Sequence, residues 1–411
     1  MAVWQTRPVA EVCTMVTDGS HFSPSTVPTG YPYITVRDIK QGQIDFQNCA
    51  FIDESSFDEL RRNGCAPSIG DVLFSKDGTV GKVALVDSPR EFVVLSSLAI
   101  LRPNTSLIEP AFLSYVLMSP AFLAAAIGQK TGVAIRRIIL KNLKQIPVPY
   151  PALHEQRRIV AILDEAFEAI ATAKVNTEKN LQNGRSVFYS LLNSMFASSE
   201  WQQKTIGELF RVGSSKRVLK SQWQSQGIPF YRGREVTRLA KDGFVDNELF
   251  ISEALYAELS SQYGVPDVGD IMVTAIGTIG NAYVVRQGDH FYFKDASVLW
   301  LKKTTDVSSE FINYWLRSDQ FLEQLDRGNG ATVDTLTIQK LQSVTLKMPL
   351  LSEQRRIVVK LDALAASAER LEKLYGGKLA ALDELKKSLL HQAFTGKLTA
   401  KSTDQQLEAV A

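Results

Sequence analysis

This chain is one unit written twice. Sliding the sequence on itself brings Glu155-Gln156-Arg157-Arg158-Ile159-Val160 onto Glu353-Gln354-Arg355-Arg356-Ile357-Val358 at an offset of 198. The same offset holds through Leu163/Leu361 and Asp164/Asp362, then Leu191-Leu192/Leu389-Leu390 and Phe196/Phe394. Upstream the match is looser but keeps its order. Pro32 and Arg37 fall on Pro229 and Arg234, Gly70-Asp71-Val72-Leu73 on Gly269-Asp270-Ile271-Met272, and Gly78-Thr79-Val80-Gly81 on Gly277-Thr278-Ile279-Gly280. Phe112 and Tyr115 fall on Phe311 and Tyr314, and Gly132 on Gly330. Solenoid units repeat every 20 to 50 residues or so; a repeat near 198 residues is a duplicated domain.

Each half opens with a globular part and ends in a helical one. The expected boundaries are 1–150 for the first globular domain, 151–198 for a central helix, 199–350 for the second globular domain, 351–397 for a C-terminal helix and 398–411 for a tail. The globular parts carry short β-rich runs punctuated by Gly, Asp and Ser. These are Val72–Phe74, Val83–Val86 and Phe92–Leu95, and in the second copy Ile271–Val273, Tyr283–Val285 and Phe291–Phe293. A helix is expected at Pro110–Ala126 and again at Ser309–Leu325. In the second helical part a 4-3 spacing collects Ile357, Leu361, Leu364, Ala368, Leu371, Tyr375, Lys378, Leu382, Leu385 and Leu389. The first gives Ile159, Leu163, Ala166, Ile170, Ala173, Thr177, Asn180, Gly184, Val187 and Leu191. Such a seam needs a partner to bury it, and the nearest partner is the other copy. A helix of about 43 residues spans about 65 Å. Antiparallel packing would bring Leu191 near Ile357 and Ile159 near Leu389. Asn183-Gly184 and Gly376-Gly377 predict local bends, since a mid-helix glycine costs about 1 kcal/mol. The expected class is therefore α+β: two mixed α/β globular domains separated by two long antiparallel helices in a coiled coil, with an internal pseudo-two-fold repeat.

Composition narrows the function by what it lacks. Apolar residues make up 45% of the chain, enough for real cores, and 46 Lys and Arg against 44 Asp and Glu leave a net +2. That balance neither announces nor excludes a nucleic-acid binder, which needs a local basic surface. Three cysteines (Cys13, Cys49, Cys65) form no C-x-x-C, so reduced thiols are expected, with no disulfide framework and no zinc site. The start Met1–Arg7 has no apolar signal core and no apolar run approaches the ~18 residues that cross a bilayer, so a cytoplasmic chain without membrane contact is expected. There is no G-x-x-x-x-G-K-[ST], no Asn/Asp-Pro-Pro-aromatic tetrad and no G-x-G-x-x-G after a strand. His21, His154, His290 and His391 stand apart from metal-spaced partners, Ser96-Ser97 lack a visible base, and no spaced Glu/Asp-x-Lys follows Pro266-Asp267. The chain reads as a non-enzymatic binding or scaffolding protein.

With these features in place, the arrangement resembles the specificity subunit of type I restriction-modification enzymes. The matching blocks are Thr17-Asp18-Gly19-Ser20-His21-Phe22 with Pro24, Tyr31–Ile39, and Gly70–Leu73 leading to Gly78–Gly81. Ile146-Pro147-Val148-Pro149 then runs into Glu155–Ile159, Met348-Pro349 runs into the second copy, and Gln392-Ala393-Phe394-Thr395-Gly396-Lys397-Leu398 closes the chain's matched part. The resemblance implies two target recognition domains, each reading half of a bipartite site in double-stranded DNA. It implies helices that dock two methyltransferase subunits, joined by restriction/translocase subunits. It places S-adenosylmethionine, ATP and Mg on those partners, with no cofactor on this chain. A coiled-coil scaffold whose globular modules bind protein is the alternative, and an enzyme with a hidden nuclease or methyltransferase site a third reading.

Sequence is read by side chains at base edges, while phosphate contacts set register. The candidates in the first domain are His21 of the early loop, Lys76 and Lys82 flanking the Gly-Thr turn, and Arg136, Arg137 and Lys141. In the second they are Lys216, Arg217 and Lys220, then Arg232, Arg234, Arg238 and Lys241. Arg37 and Arg234 stand beside Asp38 and Glu235, so a structural ion pair serves as well as a DNA contact. Arg136-Arg137 falls on Asp334-Thr335, and Lys76-Asp77 on Ala275-Ile276. Glu155, Arg157, Arg158, Glu353, Arg355 and Arg356 repeat in both copies. Base readout should differ between copies, so fold-holding or subunit docking suits these six better.

Overall fold

The computed structural model describes residues 4–40, 42–128, 137–197, 200–325 and 335–399. The chain divides into two compact units, Met1–Glu178 with Gly376–Ala411, and Lys179–Tyr375. The division cuts both long helices, Leu153–Phe196 and Leu351–Phe394. Each globular part thus shares its core with the start of its own helix and the end of the other.

In the first unit, a four-stranded antiparallel sheet runs in the order Cys13–Asp18, Leu98–Pro103, Val72–Ser75, Val83–Leu85. Alternate side chains of a strand face opposite ways. Val72, Phe74, Ala99 and Leu101 face a core with the helices, while Leu73, Ala84, Leu98 and Ile100 face a second core. Burial on both faces explains why Val72-Leu73-Phe74 is a continuous apolar run rather than an alternating one. The second unit repeats this with Phe210–Gly213, Val298–Lys303, Ile271–Thr274 and Ala282–Val284. Beside each sheet lies a three-stranded one: Tyr31–Ile34 between Ala50–Ile52 and Val93–Val94, and Ile228–Tyr231 between Phe250–Ile251 and Tyr292–Phe293. The ends of each globular part are sewn together, Gln5–Pro8 to Pro147–Tyr150 and Gln202–Thr205 to Thr345–Met348.

The structure corrects two expectations. The helix expected at Pro110–Ala126 is two helices, Pro110–Met118 and Pro120–Gly128, bent by 64°. Ser119 precedes Pro120, whose ring drives it out of the helical region, to φ −67° and ψ 145°. The second copy breaks at the matching place, between Ser309–Trp315 and Asp319–Gln324, with Ser318 extended and fully buried. The first pair is apolar because it is core: Phe112, Leu113, Val116, Leu117, Phe122 and Ala126 are buried. No single helix among the described residues is long and apolar enough to cross a membrane.

The second correction concerns the seam. In the second long helix Ile357, Leu361, Leu364, Ala368, Tyr375, Leu382 and Leu389 are buried or partly buried as the spacing expects, while Leu371, Lys378 and Leu385 are exposed and Leu379, Lys386 and Leu390 turn inward. The first long helix slips the same way, turning Leu181, Phe188 and Leu192 inward in place of Asn180, Val187 and Leu191. A straight helix has 3.6 residues per turn and drifts about 20° per heptad from a 4-3 seam. These helices follow the drift. They also run through Asn183-Gly184 and Gly376-Gly377 without a break.

The helices pack antiparallel inside each unit. In the first, Ile159 and Leu163 share a core with Leu390 and Ala393, Lys386 lies 4.6 Å over the Phe167 ring, and Lys174 pairs with Asp383. In the second, Arg185 pairs with Glu372 at 2.6 Å, and Leu192 and Phe196 share a core with Ile357 and Leu361.

Candidate nucleic-acid interface

The two copies hold their frames with the same bonds. Gln156 is fully buried, donates from Nε2 to the carbonyls of Leu107 and Pro151 (2.8 Å each), and accepts from the Glu109 N–H at 2.9 Å. Gln354 donates to Pro349 O and accepts from Ser308 N–H, both at 2.9 Å. The Tyr115 hydroxyl donates to Asp164, and Tyr314 to Asp362 at 2.6 Å. Burial and the neighbouring carboxylate hold both phenols well above their ordinary range. At the Gly-Thr turn, Ser75 Oγ donates to Thr79 O and accepts from Lys82 N–H; Thr274 Oγ1 does the same with Thr278 and Asn281. Gly81 (φ 98°) has Leu123 packed where a Cβ would stand, 2.6 Å away.

On this frame the rims differ. A β-bridge joins Asp77 to Arg137 in the first copy and Ile276 to Thr335 in the second. Lys76 N–H donates to Ser97 O as Ala275 N–H donates to Ser297 O. Thr17 pairs with Ile100 and Gly213 with Trp300, which puts Ser214 where the first copy has Asp18. The first rim is therefore a charged cluster. Lys76, only 1% exposed, lies 3.3 Å from Asp18 and 3.2 Å from Asp77; Arg137 Nε lies 3.1 Å from Asp77, and His21 Nε2 lies 3.4 Å from Asp18. The second rim has Ser214, Ala275, Ile276 and Thr335 there, with Ile276 exposed.

The segment behind the turn also diverges. In the first copy it is a short 3-10 turn, Val36–Asp38, and a ribbon of Ile39–Lys40 with Gln43–Ile44, pinned by Lys82 Nζ on the carbonyls of Val36 and Ile39. In the second it is a helix, Gly233–Asp242, reached by Asn281 Nδ2 through Thr237. Arg232 and Arg234 both bind the buried Glu235, and Arg234 also binds Glu248. Burial pushes the Glu235 carboxyl up, but the two guanidinium groups outweigh it and bring it down to about 2. Of the two readings open for Arg234, the ion pair with Glu235 is present. Asp38 instead accepts from Thr35 N–H and its hydroxyl.

Comparison with known proteins decides what this duplicated frame is. The family described as the type I restriction modification DNA specificity domain matches residues 1–183 and again 198–375. The chain belongs to this family. Two relatives align along nearly all of the chain. A putative type I restriction enzyme MjaX specificity subunit of Methanocaldococcus jannaschii is 24% identical over 97% of this chain and 94% of its own. The StySPI specificity subunit of Salmonella potsdam is 23% identical over 97% and 90%. Among solved structures, a chain from a study of type I R-M complex assembly and conformational transition aligns with a TM-score of 0.75 at 20% identity, covering 96% of this chain and 98% of that one. The HsdS subunit of Thermoanaerobacter tengcongensis aligns with a TM-score of 0.53 at 20% identity, covering 96% and 97%. This specificity subunit is a non-catalytic DNA target-recognition component.

The remaining candidates of the specificity subunit sort by exposure. Lys76 and Lys82 are committed to the frame. Arg136 lies outside the described residues. Lys141, Arg217, Lys220, Arg238 and Lys241 are exposed. Lys216 donates its N–H to the Tyr292 hydroxyl and holds its ammonium 5.4 Å over the Tyr263 ring, next to the buried anchor Val218. At the helix starts, Arg157 binds Glu109 at 2.6 Å, Arg158 lies 3.7 Å from Glu155, Arg356 binds Glu353 at 2.6 Å, and Arg355 is exposed. Sequence reading missed the glutamine between Glu155 and Arg157 as the keystone of the repeated block, and Asp18 and Asp77 as holders of the cations beside them. The cysteines are buried and free, and burial, with Asp71 adding, pushes the Cys13 thiol up to about 12. Among the described residues no cluster of side chains could hold a metal ion.

Proposed function

We propose that the two globular parts read the two halves of a bipartite target in double-stranded DNA, and that the helices set the unread spacer between them. One observation carries this reading: two frames held by matching bonds at Gln156/Gln354, Tyr115/Tyr314 and Ser75/Thr274 present different chemistry at the same rim. A fold-holding difference would have no reason to gather there, whereas two different half-sites require it. The reading residues are then Arg137 with His21 and Lys141 in the first part, and Lys216, Arg217, Lys220, Arg238 and Lys241 in the second. Lys76, Lys82, Arg232 and Arg234 hold the frame that carries them.

The repeated helix starts, with exposed Arg157, Arg355 and Arg356, suit the docking of two identical methyltransferase subunits. Restriction/translocase subunits join that assembly, and S-adenosylmethionine, ATP and Mg reside on the partners. Methylation mapping of cells carrying the assembled complex tests the reading. Exchange of residues 1–150 for the matching part of a relative should change one half-site and leave the other and the spacer intact. A change in both half-sites, or in neither, would refute it.

A further inference from the structure

We infer that Arg137 is the guanine-reading residue of the first recognition domain, with Asp77 as its positioning residue; this rests on the proposed recognition of DNA by that domain. Asp77 Oδ1 lies 3.1 Å from the Arg137 Nε in an ion pair, and the arginine side chain is half exposed. An arginine whose Nε edge faces a carboxylate keeps its terminal N–H groups for the paired contact with guanine O6 and N7. Its holder is itself held. Asp77 is bound by the buried Lys76 ammonium, which is bound in turn by Asp18, and the backbones of residues 77 and 137 are joined by a β-bridge. The Ile138 N–H donates to Lys76 O at 2.8 Å, fixing the chain on the other side. Such preorganisation removes the ordering cost that a free surface arginine meets on binding.

Charge argues for a base edge over a phosphate. Lys76 and Arg137 stand against two carboxylates, so a phosphate entering the cluster meets Asp18 and Asp77 as well as Arg137. A base edge asks only for aligned donors. The second domain has Ser214, Ala275, Ile276 and Thr335 at the matching positions, so this contact belongs to one half-site alone.

The test uses the specificity subunit assembled with its methyltransferase subunits. The half-site of the first domain is assigned by exchanging residues 1–150. It should contain a G·C pair at which 7-deazaguanine, lacking the N7 acceptor, weakens binding about 5- to 150-fold. Arg137→Ala should weaken the unmodified duplex by a similar factor, show no further loss with 7-deazaguanine, and methylate sites degenerate at that one position. Asp77→Asn should lose part of this discrimination with an unchanged salt slope. Thermal unfolding should match the parent for Arg137→Ala, whose side chain is half exposed. A first half-site without a G·C pair would overturn the inference. So would full discrimination by Arg137→Ala, or an equal loss on all sequences with the salt slope reduced by about one, the mark of a phosphate contact. Either leaves the recognition reading standing. That reading fails separately, if the parent complex methylates without sequence preference or exchange of residues 1–150 alters neither half-site.

Discussion

Replacing Gln156 by alanine should destabilise the first unit well beyond the norm for a polar-to-alanine change. The amide is fully buried and makes three hydrogen bonds, two to carbonyls and one from an N–H, tying residues 107–109 and 151 to the start of the first long helix. Alanine leaves all three backbone groups without their partner, at about 1–3 kcal/mol each in a buried site, part of which entering water restores. A net loss of about 3–5 kcal/mol follows. For a unit near 200 residues, 1 kcal/mol is about 2–4 °C, so the first unit's transition should fall by about 6–20 °C in calorimetry. Gln156→Glu separates hydrogen bonding from volume. At neutral pH its carboxylate faces two carbonyl oxygens, so its folded-state pKa is raised; it should be as damaging as alanine there and recover partly in acid, once one oxygen can donate. A fall under about 2 °C for Gln156→Ala, or no acid recovery for Gln156→Glu, would refute the keystone role.

Other outcomes follow from the same geometry. Lys76→Met should cost about 2 kcal/mol in urea unfolding, less than a wholly buried broken pair because Asp18 and Asp77 keep some solvent; an unchanged midpoint would contradict its frame role. Glu235, depressed from 4.5 to about 2, adds stability that is complete above about pH 4.5 and lost as pH falls toward 2, so Glu235→Gln should flatten acid unfolding of the second unit over that window. Lengthening both long helices by one turn adds about 5.4 Å, about one and a half base-pair steps, so methylomes should show a changed spacer with both half-sites kept. Duplex affinity of the complex should fall steeply with salt as counterions are released; salt-insensitive binding would favour a protein-binding scaffold.

The fold was legible where local chemistry decides it. The Glu155–Val160 repeat, the strand at Val72–Ser75 and the antiparallel helices all follow from period and spacing. The seam was misread at Leu371, Lys378 and Leu385 because a 4-3 template carries no drift, while a straight helix does; that Lys386 rather than Leu385 turns inward, over the Phe167 ring, is a property of geometry that its polarity hides. The break at Ser119 was written in Pro120. Its counterpart at Ser318 has no proline; there the serine closes the first helix with its N–H and hydroxyl on the Trp315 carbonyl and stands at the start of the next. The candidate site was half legible: the exchange of Lys76-Asp77 for Ala275-Ile276 marked the rim. It could not show that Lys76 turns inward while Arg137 stays half exposed beside Asp77, because that depends on Asp18, far off in sequence.

The central claim is that one frame carries two different readers. Single-molecule methylation sequencing of cells carrying the complex tests it most directly. The expected result is a bipartite motif with a fixed unread spacer and two half-sites of different sequence. A continuous motif, or two identical half-sites, would contradict it.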